Sequence, residues 1–150
     1  MEHDEQNKQL LDLYQDIILD HSSAPRHFGV IQNADAHSEG YNPLCGDRIQ
    51  ITLKYNQSGN QIEKTQFSGS FCSICMASAS IMTEEVENIS KKDALDKINN
   101  IRSVMQSKSE DLHALTGVRN HPSRIKCVLL PWTTLQDALK INKGATNDRT

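Results

Sequence analysis

The sequence predicts an α+β fold, a small antiparallel β-sheet packed against several helices in a single domain. Three observations predict it. An amphipathic helical stripe comes first, strands of period two follow as a block, and the rest of the chain repeats apolar residues at helical spacing. At 150 residues the chain has the length of one domain with its own core. Hydrophobic residues at 37% and charged residues at 23% place it among globular rather than disordered chains.

In order along the chain, Leu10, Leu13, Tyr14, Ile17 and Ile18 share one helical face. That helix ends by residues 21–25, because Pro25 disfavours the α conformation in the residue before it. Residues 26–44 read as loop with room for a short strand. Ile49, Ile51, Leu53 and Tyr55 alternate with Gln50, Thr52 and Lys54, a strand of period two. Residues 56–60 form a turn, and 61–68 a weaker strand. Ile62 and Phe67 have opposite parity in it, which asks for a bulge or a buried edge. Ile74, Ala77, Ile81, Val86 and Ile89 then mark a helix. Ser90 and Asp93 resemble a capping box ahead of a second stripe, Leu95, Ile98, Ile101 and Met105. Ser109 caps a short helix that Gly117 ends. His121 and Pro122 open a last helix that reaches about Lys140, with Pro131 kinking or restarting it. Residues 1–150 form one domain, with 1–8 and 142–150 read as flexible.

Composition excludes several functions. Sixteen Lys+Arg against nineteen Asp+Glu give a net charge of −3, so there is no basic excess for a nucleic-acid partner. No apolar run approaches the roughly 20 residues of a membrane span, so no membrane partner is expected. The N-terminus is acidic and polar, unlike a signal peptide, and a cytoplasmic location is expected. In that reducing compartment four cysteines point to metal binding, catalysis or core packing rather than disulfides.

Cys45 sits on a turn between Pro43 and Gly46, just ahead of the strong strand. In extended chain, Cys45 and Asp47 share a face and can reach one metal ion. The plainer alternative is a buried Cys with a solvated Asp. Cys72 falls where strand gives way to helix, where free N–H groups and the helix dipole favour a thiolate. With Cys75 it makes a Cys-x-x-Cys pair, open to two chemical readings, zinc ligands or a redox dithiol. Cys75 fits a small core residue equally well. Cys127 lies on the last helix beside Arg124 and Lys126, cations that favour thiolate formation and attract acidic partners. It too can be a core residue, next to Val128 and Leu130. Taken together, three Cys at element junctions and an adjacent Asp fit a tetrahedral site of sulfur and oxygen ligands. His3 lies in the frayed end, and His121 reads as a cap or surface group. Trp132 and Leu135 read as core, and Ser78 and Ser80 as packing positions. There is no Gly-rich phosphate loop and no nucleophile elbow.

At these residues the chain resembles the NifU/IscU-like iron–sulfur assembly family. The N-terminal signature is matched by residues 13–21 and by Pro25-Arg26-His27-Phe28-Gly29. Asn42-Pro43-Leu44-Cys45-Gly46-Asp47 resembles the family's Asn-Pro-x-Cys-Gly-Asp motif. Residues 69–83 resemble the second Cys segment, and Arg124-Ile125-Lys126-Cys127 the third. The motifs come in order over about residues 10 to 140. The long polar helical stretch between Cys72 and Cys127 is similar to the insertion of the SufU branch. His121-Pro122-Ser123-Arg124 stands where IscU-type members carry a chaperone-docking motif, and Lys126 where they carry His.

The resemblance implies an IscU-like fold and a Zn2+ site built from Cys45, Asp47, Cys72 and Cys127. It implies that Cys45 accepts persulfide sulfur from a PLP-dependent cysteine desulfurase of SufS type and relays it to other iron–sulfur assembly proteins. On this reading the chain is a sulfurtransferase partner of the desulfurase rather than a stand-alone enzyme, and Arg124 helps dock that partner. Two alternatives use the same donors: a scaffold for a transient [2Fe–2S] iron–sulfur cluster, and a structural zinc module for protein binding. A dithiol oxidoreductase ranks behind these, because no thioredoxin-like βαβ pattern surrounds Cys72 and Cys75. Four residues depart from the family pattern. Phe71 replaces Gly, Cys75 replaces Ser, His27 replaces Asn, and Pro131 stands inside the last helix. Cys75 can ligate, take up sulfur, or pair with Cys72 under oxidation.

Overall fold

The clearest alternation in the sequence becomes the central strand of the sheet. A computed structural model describes residues 14–108 and 113–143. A helix over 14–23 (α1) is followed by three strands, β1 (Ala36–Asn42), β2 (Asp47–Tyr55) and β3 (Ile62–Ser70). Then come α2 (Ser73–Glu85), α3 (Lys91–Met105), a 3-10 turn at Thr116–Asn120, and α4 (Pro122–Leu139). The strand order is β1-β2-β3, antiparallel throughout. Ile49, Ile51, Leu53 and Tyr55 of β2 are buried toward the helices, as the period of two requires. Helix α4 crosses this face against β1 and β2, α2 packs beside it against β3, and α3 packs on α4.

β1 is a full strand of seven residues where the sequence led us to expect loop with at most a short strand. Its inward residues are Ala36, Ser38, Gly40 and Asn42, too small and polar to read as an apolar alternation. They are small because α4 comes very close: a Cβ on Gly40 would lie 2.1 Å from Thr134 Oγ1 and 3.0 Å from Leu130 Cδ1. The bulge expected in β3 is present. Lys54 pairs with Lys64 but Tyr55 pairs with Ile62, and this one-residue slip turns both Ile62 and Phe67 inward.

Ser90 caps α3, its hydroxyl accepting the Asp93 N–H at 3.0 Å. Ala94, Ile98, Ile101, Val104 and Met105 are buried from α3, whereas Leu95 is 36% exposed and leaves the expected stripe. The apolar face is centred on Ala94 and Ile98, which turns Leu95 toward solvent. Gly117 lies inside the 3-10 turn rather than ending a helix, and Ser109 lies outside the described residues. α4 begins with Pro122 in its first turn and runs unbroken through Pro131 to Leu139. Pro131 leaves the Cys127 carbonyl without its usual helical donor, yet the buried apolar face of α4 holds the helix in one piece.

Small residues on α2 allow close helix packing and also carry buried hydrogen bonds. Ser78 donates to Val128 O at 2.6 Å and accepts the Trp132 indole N–H at 2.9 Å. Ser80 Oγ accepts the Arg26 N–H at 2.8 Å and lies 2.7 Å from His21 Nδ1. Trp132 and Leu135 are fully buried, as expected. The Tyr55 hydroxyl donates to Ile141 O at 2.7 Å, and Lys143 Nζ donates to Asn56 O at 3.0 Å. Residues 142–143 are thereby held against the β2–β3 turn. The expectations for residues 1–8, Leu10, Leu13 and 144–150 lie outside the described residues. Among the described residues no helix is long and apolar enough to cross a membrane.

Candidate metal centre

One end of the sheet collects three segments. The first is the turn 43–46 between β1 and β2. Gly46 adopts φ +72°, a left-handed conformation glycine takes without strain, and its N–H donates to Asn42 O at 2.8 Å. Asn42 Oδ1 accepts the Leu44 N–H at 3.2 Å, an Asx turn that holds Cys45 outward. Cys45 is exposed, and Asp47, the first residue of β2, is 1% exposed. The second segment is the start of α2, where Cys72 is the N-cap and its Sγ accepts the Cys75 N–H at 3.4 Å. The Cys72 N–H donates to Asp47 Oδ1 at 2.8 Å, tying the helix start to the strand. The third is the first half of α4, which carries the fully buried Cys127.

Ligand atoms from Cys45, Asp47 and Cys127 all lie within 4.8 Å of one another. Cys45 Sγ is 3.3 Å from Cys127 Sγ, although the two residues are 82 positions apart. Cys72 is outside that set of three, but its Sγ lies 3.9 Å from Asp47 Oδ2. All four cysteines are free thiols. Burial pushes the Cys127 thiol well above its ordinary range, and hydrogen bonding to Cys45 and Cys72 and the charges of Cys72 and Asp47 add to the shift. Cys75 is raised in the same sense, first by burial and then by the charges of Asp47, Cys72, Cys127 and Cys45. Crowded, desolvated acidic groups of this kind lack a compensating cation. Arg124 supplies part of one from the rim. It is exposed, and its guanidinium is held above its ordinary value first by a hydrogen bond to Cys127 and then by the neighbouring thiolates.

The donor set suits a tetrahedral ion such as zinc. Around an ion with Zn–S bonds of ~2.3 Å, two sulfurs sit about 3.8 Å apart. The Cys45 and Cys127 sulfurs, 3.3 Å apart, lie within about half an ångström of that spacing, and the Asp47 carboxylate beside them adds an oxygen donor.

Other expected residues fall elsewhere. Lys126 is exposed and lines a groove of about 330 Å³ beside the turn, with Tyr41, Leu44 and Leu129. Phe71 turns into an aromatic cluster, its ring centroid 5.7 Å from that of Phe67 and 6.2 Å from that of Phe28. His27 bonds Thr83 Oγ1 at 3.0 Å near the far end of α2, away from the thiols. His121 is exposed at the start of α4 and makes no side-chain capping bond. Sequence reasoning passed over Asn42, whose Nδ2 lies 4.0 Å from Cys127 Sγ and whose Oδ1 shapes the Cys45 turn. An Asn directly before Pro was the available signal.

With that geometry in view, comparisons with known proteins agree on one lineage. The NifU-like N terminal domain family matches residues 13–147. The chain is 37% identical to the zinc-dependent sulfurtransferase SufU of Bacillus subtilis (strain 168), over 92% of this chain and 97% of that one. It is 34% identical to the iron–sulfur cluster assembly scaffold protein IscU of Streptococcus pyogenes serotype M1, over 89% and 86% of the two chains. A crystal structure assigned to the SUF system of Fervidobacterium islandicum AW-1 superposes with a TM-score of 0.76 at 35% identity, covering 82% of this chain and 93% of that one.

Proposed function

The chain belongs to the NifU-like N terminal domain family, and we propose that it is a sulfur relay for iron–sulfur cluster assembly, with Cys45 as the acceptor thiol. One observation carries this reading. An exposed thiol, Cys45, stands 3.3 Å from a fully buried one, Cys127, in a cluster with Asp47 and Cys72. A purely structural clamp does not need its most exposed ligand on a turn, whereas an acceptor does. The Bacillus subtilis relative is named a zinc-dependent sulfurtransferase, which supports the same reading.

Cys45, Asp47, Cys72 and Cys127 would hold the zinc. When bound, zinc keeps its thiolate ligands deprotonated and shields them from side reactions. The chain's own residues do the rest. The Asn42 turn presents Cys45 Sγ to an incoming persulfide. Cys45 attacks the outer sulfur of that persulfide, the partner's thiolate leaves, and a persulfide forms on Cys45. Asp47 holds the start of α2 in place through the Cys72 N–H. Arg124 and Lys126 place positive charge at the rim, suited to an acidic docking surface. The partner on this reading is a PLP-dependent cysteine desulfurase of SufS type, in the cytoplasm.

Desulfurase turnover in the presence of this chain tests the proposal. Cys45→Ala abolishes the stimulation; full stimulation by the variant overturns the acceptor assignment. The scaffold reading shares these donors, and the Streptococcus pyogenes relative carries that name. Zinc, iron and acid-labile sulfide per chain, measured after anaerobic purification, separate the two. About one zinc without sulfide fits the relay, and iron with matching sulfide fits the scaffold.

A further inference from the structure

The relay reading uses three of the four thiols, and Cys75 is left over. It is fully buried, so it is no landing site for sulfur from outside. Its placement is nonetheless specific. It lies three residues after the N-cap Cys72, and its N–H donates to Cys72 Sγ at 3.4 Å. A Cys-x-x-Cys pair whose first member opens a helix can close a disulfide across one turn with little backbone movement. The thiols also form a connected series. Cys45 lies 3.3 Å from Cys127, both lie within 4.8 Å of an Asp47 carboxylate oxygen, Cys72 Sγ is 3.9 Å from Asp47 Oδ2, and Cys72 Sγ accepts the Cys75 N–H. A persulfide on Cys45 adds an S–S bond of about 2 Å, which lengthens the reach of Cys45 toward the neighbouring thiols.

We propose that Cys75 is a resolving thiol, and that Cys72 and Cys75 together reduce the sulfane sulfur arriving on Cys45 to sulfide. The inference rests on Cys45 being the acceptor. In the first step Cys72 attacks the outer sulfur of the Cys45 persulfide. The Cys45 thiolate leaves, and the persulfide now stands on Cys72. In the second step Cys75 attacks Cys72 Sγ. The Cys72–Cys75 disulfide forms, the bond to the outer sulfur breaks, and hydrosulfide departs with the Cys75 proton. The two thiols lose two electrons and the sulfane sulfur gains them, so one sulfide leaves per disulfide formed. A dithiol reductant then reopens the disulfide for the next cycle. The chain on this account supplies its own two electrons for each sulfur, where a site with serine at position 75 would pass the persulfide on intact.

The test uses the full reduced chain, anaerobic and without added reductant, treated with inorganic polysulfide as the sulfur donor. Persulfide is read as a mass gain of one sulfur on Cys45, sulfide is trapped and counted, and disulfides are mapped after alkylation. The wild type releases about one sulfide per chain and shows a Cys72–Cys75 disulfide. Cys75→Ser takes up sulfur on Cys45 but retains it, and releases sulfide only when a dithiol is added. Cys75→Ala, which keeps the buried site apolar, behaves in the same way. Sulfide release by both variants at the wild-type level overturns the proposal, as does a wild-type disulfide that maps to Cys45 and Cys127. A wild type that never gains sulfur on Cys45 contradicts the acceptor assignment instead, which keeps the two failures distinct.

Discussion

Replacing Gly40 by alanine tests whether the close approach of β1 to α4 sets the geometry of the thiol cluster. Gly40 is not among the residues with left-handed backbone, so only space opposes a side chain. The new Cβ would lie 2.1 Å from Thr134 Oγ1 and 3.0 Å from Leu130 Cδ1, on a helix packed against β1 along its length. Overpacking of this kind costs roughly 1–3 kcal/mol. Removing a glycine from a strand returns roughly 0.5–1 kcal/mol. A 2.1 Å approach puts the cost in the upper half of that range, so the net loss is about 1–2.5 kcal/mol, a fall in Tm of about 2–10 °C for a chain of this size. Thr134 lies about two helical turns from Cys127. A displaced α4 therefore also widens the 3.3 Å contact between Cys45 and Cys127 and weakens zinc binding at the proposed site. Urea unfolding of the chelator-treated protein reads the stability, and zinc competition against a chromophoric chelator reads the site. Thr134→Ala in the same chain removes the Oγ1 clash, leaves Leu130 Cδ1 at 3.0 Å and the Cβ of residue 134 at 3.3 Å, and restores most of both losses. The reasoning is refuted if Gly40→Ala is as stable as the wild type, or if Thr134→Ala rescues neither quantity.

Two further outcomes follow from buried polar groups on α2 and packed against it. Ser78→Ala leaves the Trp132 indole N–H buried without an acceptor and costs about 1–3 kcal/mol. A urea double-mutant cycle with Trp132→Phe, which removes the donor, shows a clearly smaller cost for Ser78→Ala; equal costs in both backgrounds refute the bond's contribution. His21 has its pKa lowered from 6.5, chiefly by burial and then by Arg26, with Glu84, Asp20 and Glu85 opposing. A base with a depressed folded pKa contributes stability that is present above 6.5 and lost as pH falls through the folded value. His21→Asn accordingly flattens the loss of stability below pH 6.5, measured by urea midpoints at successive pH values. An unchanged slope contradicts the assignment.

The parts of the fold legible in the sequence are those where one face is apolar and the other polar. β2 announces itself because its inward residues are Ile, Ile, Leu and Tyr and its outward ones are not. The parity conflict between Ile62 and Phe67 located the register slip. β1 stayed hidden because α4 sits so close that the inward positions have to be small. Ala36, Ser38, Gly40 and Asn42 carry no hydrophobic signal although they face the core side. Leu95 misled for the opposite reason: a large apolar residue of the right spacing lies at the edge of a stripe centred on Ala94 and Ile98.

For the site, the sequence supplied the residue types and their junctions, and the structure supplies their proximity. Core residue and chemical residue stood as alternatives for Cys127 and Cys75, yet burial and site geometry are not exclusive here. Cys127, Pro131, Leu135 and Ala138 share the buried side of α4. The helix phase that packs Leu135 and Ala138 into the core therefore also directs Cys127 toward the sheet end, where it meets Cys45. The same holds for α2. The phase that buries Ser78 and Met82 also buries Cys75, one turn inside the Cys72 cap. A thiol placed by core packing needs no dedicated loop to reach the cluster. Moving Cys127 by one position along α4 would keep the composition and turn its thiol about 100° away from the cluster, so the phase of the core determines whether the site exists.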